Sequence, residues 1–252
     1  MNLTVKMLEN EHWWGGSSAT GEKQPFGAES EFSYDMYCGH NQTMPLFLSS
    51  KGRYLWCESP MSVKIEGGEI RISAKSEISF WEDGNSLRDA YLQASHDHFP
   101  FSGKVPPEVF FTTAQYNTWM EMDYHQSQDG VLAYARGLIE HGYEPGVLMI
   151  DEGWHGRYGL WEFDPIKFPA PRAMVDELHK MGFKVMLWVV PLVSCDGMEF
   201  VLATKRKHLN GGSGKKNLFL RTDDGNVAIV HWWNGYSAIL NMCLEDDREY
   251  LD

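Results

Sequence analysis

The chain contains 252 residues, of which 43% are hydrophobic and 23% charged, and its formal net charge is −13. An acidic excess of this size argues against a nucleic-acid partner, because phosphate binding requires a basic face. No apolar stretch approaches the roughly 18 residues that a membrane-spanning helix needs, and the N-terminal residues do not resemble a signal peptide. We therefore expect a cytoplasmic globular protein without a nucleic-acid or membrane partner.

Residues 1–106 are predicted to form an all-β domain. Short apolar or alternating runs occur at 44–48, 53–57, 63–65 and 70–72, and glycine-containing turn signals separate them. Strands at this spacing are typical of a β-sandwich. One helix is predicted at 87–95. Three prolines between 99 and 107 cannot continue a helix, so we predict the domain boundary there.

Residues 107–252 are predicted to alternate strands with helices. Near-continuous apolar strands indicate a parallel sheet that is covered on both faces. Their regular interval of about 37 residues favours a (β/α)8 barrel over an open doubly wound sheet. Asp129 is the expected N-cap of the first helix. The predicted strands cover 109–113, 147–150 and 184–190, and the predicted helices 129–141, 173–180 and 198–208.

A complete barrel takes about 250 residues, which is far more than the chain contains after the boundary. Three βα units fit into this length. We therefore expect a β-sandwich followed by the first part of a barrel, in a chain that is a fragment of something longer. An open sheet remains the alternative for residues 107–252.

The chain carries no recognisable metal or nucleotide site. Its cysteines are widely scattered, and no Cys/His cluster has metal-ligand spacing. No Gly-x-Gly-x-x-Gly or Walker loop follows a predicted strand. A metal ion or a nucleotide cofactor is therefore not expected.

Three clusters of candidate ligand-binding residues follow the predicted strands, where a barrel binds its substrate, and a fourth lies in the long segment after the third predicted helix. Aromatic rings beside carboxylates fit a pyranose, because rings stack on its apolar face and carboxylates accept from its hydroxyls. Asp151 and Glu152 are adjacent, so they point to opposite faces and form a poor acid and nucleophile pair. Asp151 is the better ligand candidate, although it could equally cap the turn. The clusters are 116–119 (YNTW), 151–155 (DEGWH), 188–191 (WVVP) and 231–235 (HWWNG).

Four runs resemble glycoside hydrolase family 31 in order and spacing. They are 111–119 (FTTAQYNTW), 145–154 (PGVLMIDEGW), 182–191 (GFKVMLWVVP) and 232–237 (WWNGYS). The runs 8–16 (LENEHWWGG), 41–47 (NQTMPLF) and 87–91 (LRDAY) look like the β-sandwich that precedes the barrel in that family. The resemblance covers nearly the whole chain.

The resemblance implies a retaining α-glycosidase that binds a carbohydrate and uses no metal or organic cofactor. It implies that Asp151 binds sugar hydroxyls in the −1 subsite and that Trp188 lines the same subsite. Trp154, Tyr116 and Trp233 occupy positions where the family has aromatic or sugar-contacting side chains. The family's nucleophile, in a Lys-x-Asp motif, and its acid/base Asp are expected beyond residue 252. The chain alone is therefore expected to be inactive.

Two residues depart from the family pattern. Glu152 stands where the family usually has Asp, and Asn241 stands where an Asp is also usual. These changes leave two alternatives open. The chain could be a non-catalytic sugar-binding or degenerate member, or it could belong to a related group of enzymes that acts on α-galactosides.

Overall fold

The computed structural model describes residues 1–38, 42–209 and 218–251, so Asn41 of the 41–47 run lies outside the described residues. The chain divides into two compact units, Met1–Val105 and Pro106–Asp252. None of the helices within the described ranges is long and apolar enough to cross a lipid bilayer. No cluster of three or more His, Cys, Asp or Glu that could hold a metal ion is present among those residues either.

Unit 1 contains two four-stranded antiparallel sheets. The first has the order β1 (Asn2–Lys6), β7 (Glu69–Ala74), β6 (Met61–Glu66), β3 (Phe32–Asp35). The second has the order β2 (Trp13–Ser17), β4 (Thr43–Ser49), β5 (Tyr54–Cys57), β8 (Ile78–Trp81). Short 3₁₀ helices cover Ser18–Lys23 and Met36–Cys38. The four strands predicted from the sequence correspond to β4, β5, β6 and β7.

Side chains from both sheets of unit 1 meet in one apolar core. Ile65 and Ile70 come from the first sheet, and Trp13, Phe47 and Leu55 come from the second. In β6 and β7 buried and more exposed residues alternate, as expected for a sheet with one face on the core. Helix α1 (Leu87–His98) adds a smaller cluster against the second sheet.

Strand β2 was not predicted, because its sequence WWGGS reads as a turn. The structure shows why glycine is needed in this strand. Gly15 has φ 151°, and a Cβ added there would lie 2.2 Å from the carbonyl oxygen of Leu46. The two glycines accommodate a β-bulge against β4.

A buried ion pair lies at one edge of this core. Arg53 donates through Nε to Glu11 Oε1 at 2.8 Å and makes a second bond from its guanidinium to Oε2, while Ser49 donates to Oε1. The guanidinium also lies 5.4 Å from the ring of Trp13. Burial raises the pKa of Glu11, but the bonds from Arg53 and Ser49 outweigh it, so the pKa lies below its ordinary value.

The first prediction concerns this pair. Glu11→Ala leaves the Arg53 charge buried without its partner, so we expect it to lower the free energy of unfolding by about 3–5 kcal/mol. Glu66→Ala is the matched control, because Glu66 pairs with Lys64 and Arg71 on the surface. Urea titration followed by circular dichroism measures both variants. An equal loss in the two variants would contradict a special role for the buried pair.

Unit 2 is built on a three-stranded parallel sheet. Its order is β13 (Lys184–Leu187), β10 (Val147–Ile150), β9 (Gln115–Asn117), so β10 is central. Gly146 precedes β10 where a Cβ would lie 2.1 Å from the carbonyl oxygen of Ala114, so the close approach of the chain to β9 requires glycine. Helices α4 (Gln128–Glu140) and α5 (Pro171–Lys180) contribute to the core of this unit.

Smaller elements complete unit 2. An antiparallel hairpin pairs β11 (His155–Arg157) with β12 (Leu160–Phe163). A second sheet has the order β14 (Leu192–Ser194), β16 (Gly235–Ile239), β15 (Ile229–Trp232). The remaining helices are α2 (Val109–Thr112), α3 (Trp119–Met122), α6 (Met198–Leu209) and α7 (Glu245–Leu251).

Three local predictions in unit 2 are wrong, and the first is the strand expected at 184–190, which ends at Leu187. The strand expected at 109–113 is helix α2, where the Thr113 hydroxyl donates to the carbonyl of Val109 at 2.8 Å. Glu108 is the N-cap of this helix, and the paired strand begins only at Gln115. The N-cap of α4 is Ser127, whose Oγ accepts from Gly130 N at 3.2 Å, rather than Asp129. Asp129 instead lies in the first turn, where a carboxylate suits the helix dipole.

Candidate functional site

The candidate site lies at the carboxyl ends of the parallel strands. Asp151 directly follows β10, Trp188 directly follows β13, and Asn117 is the last residue of β9. The backbone N–H of Trp188 donates to the carbonyl of Ile150 at 3.0 Å. This bond continues the strand pairing by one residue, and it puts Trp188 beside Asp151.

Asp151 is buried, with 8% of its surface exposed, and hydrogen bonds hold its carboxylate. Oδ2 accepts from Asn117 Nδ2 at 2.6 Å, and Oδ1 accepts from the backbone N–H of Glu152 at 2.7 Å. The backbone N–H of Asp151 donates to Thr118 Oγ1 at 3.0 Å. Thr118 is in turn fixed by donating to Gln126 Oε1 at 2.7 Å. The carboxylate therefore caps the turn, yet it keeps acceptor capacity for a ligand, since two oxygens offer about four lone-pair sites.

The carboxylate of Glu152 has a different hydrogen-bond partner from the carboxylate of Asp151. It is 4% exposed, and its two carboxylate oxygens lie 3.3 and 3.2 Å from the indole Nε1 of Trp233. Burial raises the pKa of Glu152. The indole N–H opposes this shift, and the nearby charges of Asp151 and Asp123 add to it. The two adjacent carboxylates thus serve separate parts of the site, as the strand alternation predicted.

A series of aromatic rings links Trp188 to Trp233. The ring of Trp188 lies 6.2 Å from that of Tyr158, and Tyr158 lies 4.9 Å from Trp232. Trp232 lies 4.6 Å from Trp233, and its own Nε1 donates to Ser237 Oγ at 2.9 Å. Tyr158 was not among the residues predicted from the sequence, because it lies in the turn of the β11–β12 hairpin and no periodic pattern marks it.

The remaining two predicted residues lie elsewhere. Trp154 is 2% exposed and packs in the core of unit 2, and its Nε1 donates to the carbonyl of Trp188 at 2.8 Å. The hydroxyl of Tyr116 donates to the carbonyl of Glu144 at 2.7 Å, and its ring packs against Phe183. Glu144 and Phe183 precede β10 and β13, so the side chain of Tyr116 points toward the amino-terminal ends of the strands. The structure thus places Trp188 next to Asp151 and connects Trp233 to them through Glu152 and the intervening aromatic rings, whereas Tyr116 points away.

Comparison with known proteins identifies the family. Residues 104–252 match the glycosyl hydrolases family 31 TIM-barrel domain. The chain belongs to glycoside hydrolase family 31. The match covers the parallel sheet, Asp151 and the aromatic residues at the carboxyl edge of that sheet.

Curated relatives agree with this family. The mouse myogenesis-regulating glycosidase is 30% identical over an alignment that covers 95% of this chain and 36% of that protein. An α-xylosidase of Saccharolobus solfataricus is 32% identical, over 74% of this chain and 26% of that protein. An α-galactosidase of Pediococcus pentosaceus is 32% identical over 39% of this chain and 14% of that protein. This chain therefore spans about a third or less of the length of these relatives.

Solved structures of the family share the fold. The dextranase of Flavobacterium johnsoniae, complexed with glucose, matches 99% of this chain and 31% of its own with a TM-score of 0.70 and 14% identity. An α-xylosidase from a soil metagenome, complexed with xylose, matches 99% of this chain and 35% of its own with a TM-score of 0.67 and 17% identity.

The two departures from the family pattern have different structural settings. Glu152 has a longer side chain than the usual Asp, and it uses that length to reach Trp233. Asn241 lies in the turn before α7, where its Oδ1 accepts from the backbone N–H of Cys243 at 3.2 Å. Its own backbone N–H donates to the buried carboxylate of Asp247. Asn241 therefore stabilises a turn in this family 31 chain.

The second prediction concerns the pH dependence of stability that a buried histidine, His155, confers. His155 is 5% exposed and packs against the rings of Trp154 and Tyr158, and burial lowers its pKa to about 4. In the unfolded chain His155 takes up a proton as the pH falls through about 6.5, whereas in the folded chain it takes up a proton only near pH 4. The free energy of unfolding therefore falls as the pH drops from about 6.5 toward 4. We expect His155→Phe to remove about 2 kcal/mol of this loss at pH 4.5.

Urea unfolding at pH 7.5 and pH 4.5 measures the effect. His179→Phe is the control, because His179 is exposed on α5. The same pH dependence in the wild type and in His155→Phe would contradict the assignment.

Proposed function

We propose that this chain carries the sugar-binding side of a retaining α-glycosidase. Unit 1 is then the β-sandwich that precedes the catalytic barrel, and unit 2 is the first part of the (β/α)8 barrel. The observation that carries the proposal is the anchored Asp151 carboxylate beside Trp188, at the carboxyl ends of parallel strands. The carboxyl ends of the strands are the edge at which enzymes of this architecture bind substrate.

The side chains fit complementary parts of a pyranose. Asp151 accepts hydrogen bonds from two hydroxyls of the sugar, and its fixed geometry reduces the entropy lost on binding. Trp188 is half-buried and offers an apolar face, while Trp233 is 57% exposed and offers a second. Trp154 contributes indirectly in this proposal, because its indole N–H holds the backbone of Trp188.

Sugar binding is tested first by removing the charge of Asp151. Asp151→Asn keeps the size of the side chain but replaces one acceptor oxygen by a donor, so we expect affinity for an α-glycoside to fall about 10- to 100-fold. Asp176→Asn, on the exposed face of α5, is the matched control. Titration of methyl α-xyloside, methyl α-glucoside and methyl α-galactoside, followed by tryptophan fluorescence and calorimetry, compares the sugars suggested by the relatives.

Two results would overturn the binding proposal. One is the absence of saturable binding of all three glycosides at millimolar concentration. The other is equal affinity in the wild type and in Asp151→Asn. A preference for the galactoside would instead favour the α-galactosidase alternative.

Bond cleavage is proposed to require carboxylates beyond these 252 residues. A retaining glycosidase needs two carboxyl groups about 5 Å apart that flank the bond, whereas Asp151 and Glu152 are adjacent and face different partners. No Lys-x-Asp triplet, the pattern of the family's nucleophile, occurs in the sequence.

The turnover test follows directly. We expect this chain to release no nitrophenol from the α-xyloside, α-glucoside or α-galactoside of nitrophenol, because in this proposal Asp151 and Glu152 serve neither as nucleophile nor as proton donor. Absorbance of nitrophenolate over several hours measures this. Release that Asp151→Asn abolishes and Asp176→Asn preserves would show that the 252 residues suffice for catalysis.

A further inference from the structure

Trp233 combines high exposure with a buried polar anchor. It lies in the two-residue loop between β15 and β16, since Trp232 pairs with Gly235 across the hairpin. More than half of its surface is exposed, yet its indole N–H is directed at the buried carboxylate of Glu152. An aromatic ring at the tip of a tight hairpin would otherwise be free to change rotamer.

The carboxylate of Glu152 in turn depends on Trp233 for its side-chain hydrogen bond. Among the described residues, the indole of Trp233 is the only side chain that donates to its carboxylate, and no Lys or Arg forms a salt bridge with it. A buried carboxylate costs free energy unless it is well paired. A hydrogen bond to a charged acceptor is stronger than one between neutral groups, so this bond restrains the ring on one side. Trp232, itself held by Ser237, restrains it on another.

The reach of the side chain at position 152 decides whether this contact forms. Both oxygens already lie 3.2 and 3.3 Å from Nε1, near the long end of the hydrogen-bonding range. An aspartate would withdraw the carboxylate by one methylene group, to a distance at which no direct bond forms. A glutamine would keep the length and one oxygen acceptor.

From this geometry we infer that Glu152 is a positioning residue that orients the exposed indole of Trp233 as a stacking surface for the sugar. The inference rests on the proposed function, since it assigns a role within the same binding site. Glu152 acts through Trp233 and makes no contact with the sugar itself. The neighbouring Asp151 remains the carboxylate that binds the hydroxyls.

Length variants at position 152 test the inference. Affinity for the methyl α-glycoside that binds best is measured by calorimetry. We expect Glu152→Asp to weaken binding about fivefold to tenfold, the equivalent of one lost hydrogen bond, and Glu152→Gln to retain most of the affinity. Glu162→Asp, an equal shortening at the exposed position of β12, is the matched control and should bind like the wild type. Urea midpoints of all variants show whether they are folded.

A double-mutant cycle separates positioning through Trp233 from general structural support. Trp233→Phe keeps an aromatic ring but lacks the N–H, so adding Glu152→Ala to it should cause no further loss of affinity. Fully additive losses, or a Glu152→Asp variant that binds like the wild type, would overturn the inference. If Asp151→Asn still weakens binding in that case, the proposed function stands without this role for Glu152. If no glycoside binds the wild type, both proposals fail.

Discussion

The parallel pairing of β10 with β9 on one side and with β13 on the other determines where the site forms. Met149 pairs with Asn117, and Ile150 pairs with Leu187, so the residue that follows β10 lies between the ends of both neighbours. Asp151 consequently accepts a hydrogen bond from Asn117, while the backbone N–H of Trp188 donates to the preceding residue, Ile150. A shift of β9 or of β13 by one residue would turn the side chain of Asn117 or of Trp188 to the opposite face of the sheet from the one it now occupies.

The buried ionisable groups of the two units are stabilised in different ways. Glu11 is paired with the full charge of Arg53, which neutralises it and leaves it with a structural role. Asp151 and Glu152 receive hydrogen bonds from an amide, a backbone N–H and an indole, and among the described residues neither forms a salt bridge. Because these donors are neutral, no positive charge compensates the negative charge of the two carboxylates. Such a charge suits the binding of hydroxyl groups, which donate to it.

Sequence patterns predicted the elements that are apolar and continuous, and they failed where polar or short segments form structure. The strands predicted at 147–150 and 184–190 follow from apolar runs that a sheet covered on both faces can bury, although the second strand ends at Leu187. Strand β2 was missed because its glycines read as a turn, and helix α2 was predicted as a strand because Val, Phe and Thr favour strands. Asp151 and Trp188 were predicted because they end such strands.

The sequence by itself determined the family and the order of its motifs, since these depend on residue types and spacing alone. It also indicated that Asp151 and Glu152 face different ways, because alternation along a strand is a local property. Only the tertiary structure decided what each carboxylate meets, that Tyr158 and Trp232 connect Trp188 to Trp233, and that Tyr116 points away from Asp151. Apart from the contact between Trp232 and Trp233, these contacts join residues 28 or more positions apart in the chain, so they depend on the tertiary fold and not on the local sequence.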